Sequence, residues 1–375
     1  MSPSSTSSSN TVLECPEAPA TECPMPRRTE ALGVGRTDAV ALAESASSRR
    51  VATLSLRGFR PWGAVFAVAL LIGAEGAARR LLPDVPAEGI YGSFPVQQKV
   101  TGINETLRAG PIDVLFIGSS LVDHGIDPLH FDRVCGEHDV EVTAYNLGVR
   151  GPSLSGIQAI LNRFLLPRVK AKLVYICLSP NALNHSRTAY VSDINRRFEE
   201  MAQMPRLEEF VRLGLSRLHL YAYRQDMCLW LRNGGHGGFS GRGADRRRGF
   251  TPRHGLLDGE DDWSGRVGDF VPDRRDVEAL AALCRWCTSR GTDYVIVDMP
   301  LSQHCRDLPT RDQRTAYEAI LRQAAMPGTA VLSFPPDEFG ARCFNDGLHL
   351  NAEGATHLTT LLARDAVTRR LARSP

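Results

Sequence analysis

The sequence predicts an α/β fold with a parallel sheet covered by helices on both faces. From about residue 112 onward, short apolar runs alternate with amphipathic segments, as expected for strands joined by helical crossovers. The chain has 375 residues, of which 43% are hydrophobic, so it can bury the core of one large domain. Its formal net charge is only +2, which gives no indication of a nucleic-acid partner.

The individual elements follow from the spacing of the apolar residues. Short apolar runs bounded by turn residues predict five strands, at residues 113–117, 140–147, 173–178, 293–298 and 330–334. Apolar residues at helical spacing predict helices at residues 154–166, 277–290, 311–325 and 352–371.

A long interruption separates the third strand from the fourth, at about residues 185–275. It contains helical patches such as 207–220 and then a loop, residues 233–254, that is dense in Gly and Arg. Such a loop in a compact domain is either functional or disordered. Its Arg246–Arg248 cluster could bind an anionic partner or could be a solvated run of charges. No role, such as that of a gate over a ligand site, is assigned to the loop.

The N-terminal part divides into three segments before the predicted α/β domain at 112–375. Residues 1–57 are rich in Ser, Thr, Pro and Ala and predict a disordered tail. Residues 58–80 contain an uncharged run of 14 residues, which predicts a single transmembrane anchor or, alternatively, a buried helix. Residues 81–111 are predicted to be a linker. More arginines precede the apolar run than follow it, which favours a cytoplasmic N-terminus and an extracytoplasmic α/β domain.

The cysteines predict neither a disulfide framework nor a metal site. Nine is an odd number, and a chain of this size does not need disulfides to fold. Cys284 and Cys287 form the one close pair, but they fall inside a predicted helix and not at the strand-to-helix turn of a redox motif. No second pair completes a zinc site, so we expect buried thiols.

Four segments follow predicted strands, where ligands gather in an open parallel sheet. They are Ile117–Leu121, Asn146–Gly151, Leu178–Asn181 and Asn345–His349. In this order they resemble the four sequence blocks of the SGNH/GDSL hydrolase family, over about residues 112–371. The resemblance implies a three-layer, flavodoxin-like α/β/α domain.

The same resemblance implies roles for five residues. Ser120 falls on the family's nucleophile, Asp346 and His349 on its Asp-x-x-His block, and Gly151 and Asn181 on its oxyanion residues. Two positions depart from the pattern, since serines replace the aspartate of the first block and the glycine of the third. The chain is more similar to a membrane-anchored branch, which includes the protein that assists D-alanylation of teichoic acids and accessory proteins of exopolysaccharide acylation.

The chemistry explains why these residue types occur together. A serine hydroxyl needs a base to accept its proton, and His349 is the candidate. The imidazole needs a carboxylate on its far side, which Asp346 would supply. The oxyanion needs fixed donors, which the backbone N–H groups of Ser120 and Gly151 and the Asn181 amide would provide. Ser119 shares the turn and is an alternative nucleophile.

The resemblance implies an esterase or O-acyltransferase that acts on O-acyl groups of a cell-envelope glycan or related metabolite. A membrane-bound O-acyltransferase is a possible partner, and no metal or organic cofactor is implied. Two alternatives are a non-catalytic membrane-tethered scaffold and a soluble intracellular esterase. Of the other histidines, His124 is expected to face solvent or pack against the following segment, and His304 could line the cleft.

Overall fold

The computed structural model describes residues 61–81, 94–205, 207–208, 211, 215, 218–222, 247–257, 267–335 and 337–369. The predicted disordered tail, half of the predicted helical patch at 207–220 and residues 233–246 of the Gly/Arg-rich loop lie outside these ranges.

Five parallel strands form one sheet in the order β2-β1-β3-β4-β5, which confirms the predicted α/β fold. The strands are β1 (Val114–Gly118), β2 (Ala144–Gly148), β3 (Leu173–Leu178), β4 (Asp293–Asp298) and β5 (Val331–Leu332). The second strand begins four residues later than predicted. The Val140 N–H donates to the Cys135 carbonyl at 3.1 Å, so the chain is still closing the preceding helix there.

Helices cover both faces of the sheet. Val114 and Phe116 belong to one apolar cluster, and the alternate residues Leu115 and Ile117 belong to another, so the two clusters lie on opposite faces. The first cluster includes residues of α3 (Ser120–Gly125), α4 (Pro128–Gly136), α10 (Gln303–Asp307) and α12 (Ala352–Thr368). The second includes residues of α2 (Phe94–Ala109), α5 (Leu154–Ile160), α7 (Ser192–Ala202), α9 (Arg274–Ser289) and α11 (Arg311–Ala324).

The remaining described helices are α1 (Pro61–Leu81), α6 (His185–Tyr190) and α8 (His219–Ala222). Local capping explains several helix starts. Asp273 caps α9 and places its start three residues before the predicted one, and Asn351 caps α12 where the sequence predicts its start. The predicted helix at 154–166 changes geometry after Ile160, continuing as a π-helical turn (Leu161–Leu165) and a 3-10 turn (Leu166–Arg168).

The segment predicted as a linker contains a helix that belongs to the core. In α2, Val96, Val100 and Ile103 are buried against the sheet, at spacings of four and three residues. Lys99 projects from the same helix and is also fully buried. The core therefore begins before residue 112, because this apolar face needs the sheet to cover it.

The predicted membrane segment falls on α1. Among the described helices, none combines the length and the apolar character needed to cross a bilayer. The transmembrane anchor predicted at 58–80 stays a prediction.

The cysteines of the described ranges are buried free thiols, as the sequence predicts. Cys284 and Cys287 lie on the inner face of α9, and burial raises their thiol pKa values to about 11 and about 12. Protonated, buried thiols are poor nucleophiles, so these residues act as core side chains.

Candidate active site

Ser120 begins α3 directly after β1, at the carboxyl edge of the sheet. Its Oγ lies 2.9 Å from Nε2 of His349, within hydrogen-bonding distance. Ser119 instead accepts a long capping hydrogen bond of 3.4 Å from the Leu121 N–H. Of the two serines predicted as nucleophiles, Ser120 is therefore the one that contacts the predicted base.

The loop before α12 holds the other two members of the predicted triad. His349 Nδ1 lies 2.9 and 2.8 Å from the two carboxylate oxygens of Asp346. One of these oxygens also accepts the backbone N–H groups of Leu348, at 2.9 Å, and His349, at 2.8 Å. The Asn345 N–H donates to the His349 carbonyl at 2.8 Å and closes the turn. The turn from Asp346 to His349 thus brings the carboxylate and the imidazole into contact.

Asp346 is held as an anion. Burial raises the pKa of its carboxyl, but hydrogen bonds and attraction from His349, together with the Leu348 N–H, outweigh burial and hold the pKa well below its usual range. A carboxylate in this state fixes the tautomer of the histidine, with Nδ1 protonated and Nε2 free to accept the serine proton. The geometry would allow His349 to accept the hydroxyl proton of Ser120.

Arg253 also binds this carboxylate. Its Nη1 donates to Asp346 Oδ2 at 2.7 Å and to Asn345 Oδ1 at 3.2 Å. The residue belongs to the final part of the Gly/Arg-rich loop, whose role the sequence leaves unassigned. It lies 93 positions from Asp346, so no local motif indicates the pairing.

The two predicted oxyanion residues lie at the same edge of the sheet, after β2 and β3. Gly151 has a φ of 106°, a left-handed conformation that favours glycine, which explains the residue type at this turn. Asn181 is buried in a 3-10 turn (Pro180–Leu183), and its Oδ1 has no hydrogen-bond partner among the described residues. Neither residue bonds to Ser120 in the described part of the chain, so their oxyanion role stays a prediction.

A buried charged cluster, which no sequence pattern indicates, lies behind α3, the helix that begins at Ser120. Asp123, three residues after Ser120, is 1% exposed and lies 2.7 Å from Nζ of the equally buried Lys99. Arg150 Nε lies 3.2 Å from its other oxygen. Lys99 also donates to the Asn146 carbonyl at 3.1 Å. This cluster joins α2, α3 and the end of β2 beneath the site.

His124 packs against the predicted base and does not face solvent. It is 3% exposed, and its ring meets that of His349 edge to face at a centroid distance of 5.5 Å. Its Nδ1 lies 2.6 Å from the Thr251 carbonyl. Burial, only partly opposed by that hydrogen bond and by Asp123, lowers the pKa of His124 to about 4. The ring is therefore neutral near pH 7, with Nδ1 as the donor to Thr251.

A cleft of about 200 Å³ opens beside Pro180, at the ends of β4 and β5. Asp298, the last residue of β4, accepts a hydrogen bond of 2.9 Å from the Tyr317 hydroxyl. Burial raises the pKa of Asp298 to about 7, against the lowering effect of that bond. Aromatic, proline and arginine side chains complete the walls, among them Pro180, Phe270, Arg306, Arg314 and Phe334. His304, which the sequence suggests could line the active-site cleft, is not among the residues that line this one.

The described ranges contain no group of three or more His, Cys, Asp or Glu side chains that could hold a metal ion.

Comparisons with known proteins add little to this geometry. No family model and no curated protein matches the chain. Among solved structures, it is similar to one described as a gut microbial diltiazem-metabolizing enzyme, with a TM-score of 0.27 and 9% sequence identity. The match covers 68% of this chain and 47% of that one, so the chain spans about half the length of that enzyme. A likeness this weak carries no functional argument.

Proposed function

We propose that this chain is a serine esterase or O-acyltransferase of the SGNH/GDSL type. The observation that carries the proposal is the continuous contact from Ser120 Oγ through His349 to Asp346, with distances of 2.9 and 2.8 Å. The strand order β2-β1-β3-β4-β5 supports the flavodoxin-like arrangement that the sequence resemblance implies. Ser120, Gly151 and Asn181 follow strands at one edge of the sheet. Asp346 and His349 lie in the last loop, from which His349 contacts Ser120.

The reaction proceeds through an acyl-enzyme. Ser120 Oγ attacks the ester carbonyl while His349 Nε2 takes the hydroxyl proton. The bond to the alcohol breaks, and the alcohol leaves with that proton. Water or a sugar hydroxyl then attacks the acyl-serine and gives its own proton to His349, which returns it to the serine. Gly151 and Asn181 would donate to the oxyanion in both steps.

Turnover of an activated ester tests this proposal. Purified full-length protein in detergent should hydrolyse p-nitrophenyl acetate, and Ser120→Ala should lower kcat/KM by at least about 10³-fold. Ser119→Ala is the matched control, because it removes the neighbouring hydroxyl and only a long capping bond. A folded wild type that hydrolyses the ester no faster than buffer alone would instead favour the non-catalytic scaffold.

The proposal includes a place of action at the cell envelope. The substrate would be O-acyl groups of an envelope glycan, with a membrane-bound O-acyltransferase as partner and residues 58–80 as the attachment to the membrane. Support comes from the arginines that flank this segment and from the exposed apolar side chains of α1, which include Trp62, Phe66, Leu70, Leu71 and Ile72.

Fractionation of cells tests the attachment. The full-length chain should stay with the membranes until detergent is added, and added protease should reach the catalytic domain from outside the cytoplasm. Recovery of the full-length chain in the soluble fraction without detergent would favour the soluble intracellular esterase.

A further inference from the structure

The segment 247–257 runs beside the candidate triad and is tied to it by its backbone. The Thr251 N–H donates to the Asp123 carbonyl at 2.8 Å, and the Thr251 carbonyl contacts His124. The Ala352 N–H donates to the Arg253 carbonyl at 2.9 Å, at the start of α12. The segment is thus fixed both to α3, which begins at Ser120, and to the start of α12, just after the loop that carries His349.

The position of the Arg253 side chain follows from these backbone ties. Its guanidinium and the His349 imidazole share one oxygen, Asp346 Oδ2, at 2.7 and 2.8 Å. Arg253 is about one-third exposed and Asp346 less, so the pair is partly shielded from water. The carboxylate therefore divides its charge between a permanent cation and the histidine.

The shared oxygen has a consequence for the base. A carboxylate alone would strongly favour the imidazolium, and a fixed cation on the same oxygen weakens that preference. The other titratable groups near His349 do not replace the cation. His124 is neutral near pH 7, and the charge of Asp123 is balanced by Lys99 and Arg150.

We propose that Arg253 is a positioning residue that acts through Asp346 on His349, keeping the imidazole in its neutral, proton-accepting form at lower pH and holding the carboxylate in line. This inference rests on the proposed function, because a neutral imidazole matters only if His349 is the base. The sequence predicts no role for this arginine.

The same segment offers a matched control. Arg248 also forms an ion pair with a partly buried aspartate, Asp132 on α4, and also lies in the final part of the Gly/Arg-rich loop. Its pair makes no contact with the triad. Arg248→Gln therefore removes a similar ion pair without touching the Asp346 carboxylate, while Arg253→Lys keeps the charge at the site.

The experiment measures the rate of inactivation by a fluorophosphonate across the acidic to neutral pH range, on full-length protein in detergent. Arg253→Gln should move the midpoint of the acid limb up by about half a pH unit or more, because loss of a nearby cation favours the imidazolium. Arg253→Lys should restore most of the wild-type midpoint, and Arg248→Gln should leave it unchanged. An unchanged midpoint in Arg253→Gln, or equal shifts in both glutamine variants, would overturn the proposal.

A second readout separates this inference from the proposed function. Histidine ring signals in the NMR spectrum, with His349→Gln used to assign the resonance, give the titration midpoint of His349 without any reaction. Arg253→Gln should raise that midpoint and Arg248→Gln should not. An inert wild type with the expected shift would reject the enzyme but keep the electrostatic coupling, whereas a reactive wild type without the shift would reject the role of Arg253.

Discussion

Two aspartates at the same edge of the sheet show how surroundings decide the state of one functional group. Asp346 accepts two backbone N–H groups and contacts His349, and these partners hold its pKa well below the usual range despite burial. Among the described residues, Asp298 has a hydrogen bond from Tyr317 alone, and burial raises its pKa to about 7.

The difference teaches that burial alone does not predict charge. The carboxyl with cationic and N–H partners stays ionised and can orient a base, while the carboxyl with one neutral partner is partly protonated near pH 7. The first fits the supporting acid of a triad, and the second can both donate and accept hydrogen bonds in the adjacent cleft.

Replacing each aspartate by asparagine, in separate variants, should give the largest difference between the two sites. Asp346→Asn should lower kcat/KM for p-nitrophenyl acetate by about 10⁴-fold, because an amide no longer fixes the required histidine tautomer. Asp298→Asn should lower it by less than about tenfold, because an amide resembles the protonated acid already present there. Similar losses in the two variants, measured by steady-state kinetics, would contradict the contrast.

The third buried carboxylate, Asp123, extends the comparison to stability. Lys99→Met should lower the free energy of unfolding by about 3 kcal/mol, because it removes the closest cation from a buried carboxylate. Lys172→Met is the control, since Lys172 pairs with Asp113 at 3.0 Å but is half exposed, and should cost less than about 1 kcal/mol. Urea denaturation measures both variants, and equal losses would show that burial does not strengthen the first pair.

The stability of the fold at acidic pH depends on the buried His124. Its folded pKa is about 4 and its ordinary value is 6.5, so between these pH values the unfolded chain binds a proton that the folded chain does not. Folding stability therefore falls as pH drops through this window, by up to about 3 kcal/mol. His124→Gln should remove that loss.

Denaturation of wild type and His124→Gln at several pH values measures this contribution. Asp132 and Asp298 have raised pKa values and act in the opposite direction in the same window, since the folded state holds their protons more tightly. Both are present in wild type and variant, so the difference between the two curves isolates His124. Parallel curves would mean that the buried ring is not neutral in the fold.

The sequence predicts the parts of the site that come directly after strands, because the carboxyl ends of parallel strands converge on one edge. Ser120 is found in this way and the Asp346–His349 pair through its resemblance to an Asp-x-x-His block, and the structure brings them into contact. The five strands are also predictable, since each is a short apolar run between turns.

The supporting charges could not be predicted in the same way. Arg253 looks like one more arginine of a polar loop, and Lys99 looks like a solvated lysine until its partner Asp123 is known. Each pairs with a residue far along the chain, and such pairing leaves no local pattern. The helix α2, by contrast, has a local pattern, because Val96, Val100 and Ile103 have helical spacing. This pattern would have placed the start of the domain before residue 112.

Covalent labelling tests the central claim most directly. Full-length protein is treated with a fluorophosphonate beside Ser120→Ala, Ser119→Ala and His349→Ala, and mass spectrometry locates the adduct. The account predicts an adduct on Ser120 that persists in Ser119→Ala and disappears in His349→Ala. A folded wild-type protein that takes up no probe, or an adduct on Ser120 that forms equally fast without His349, would contradict the claim that this serine is activated by the triad.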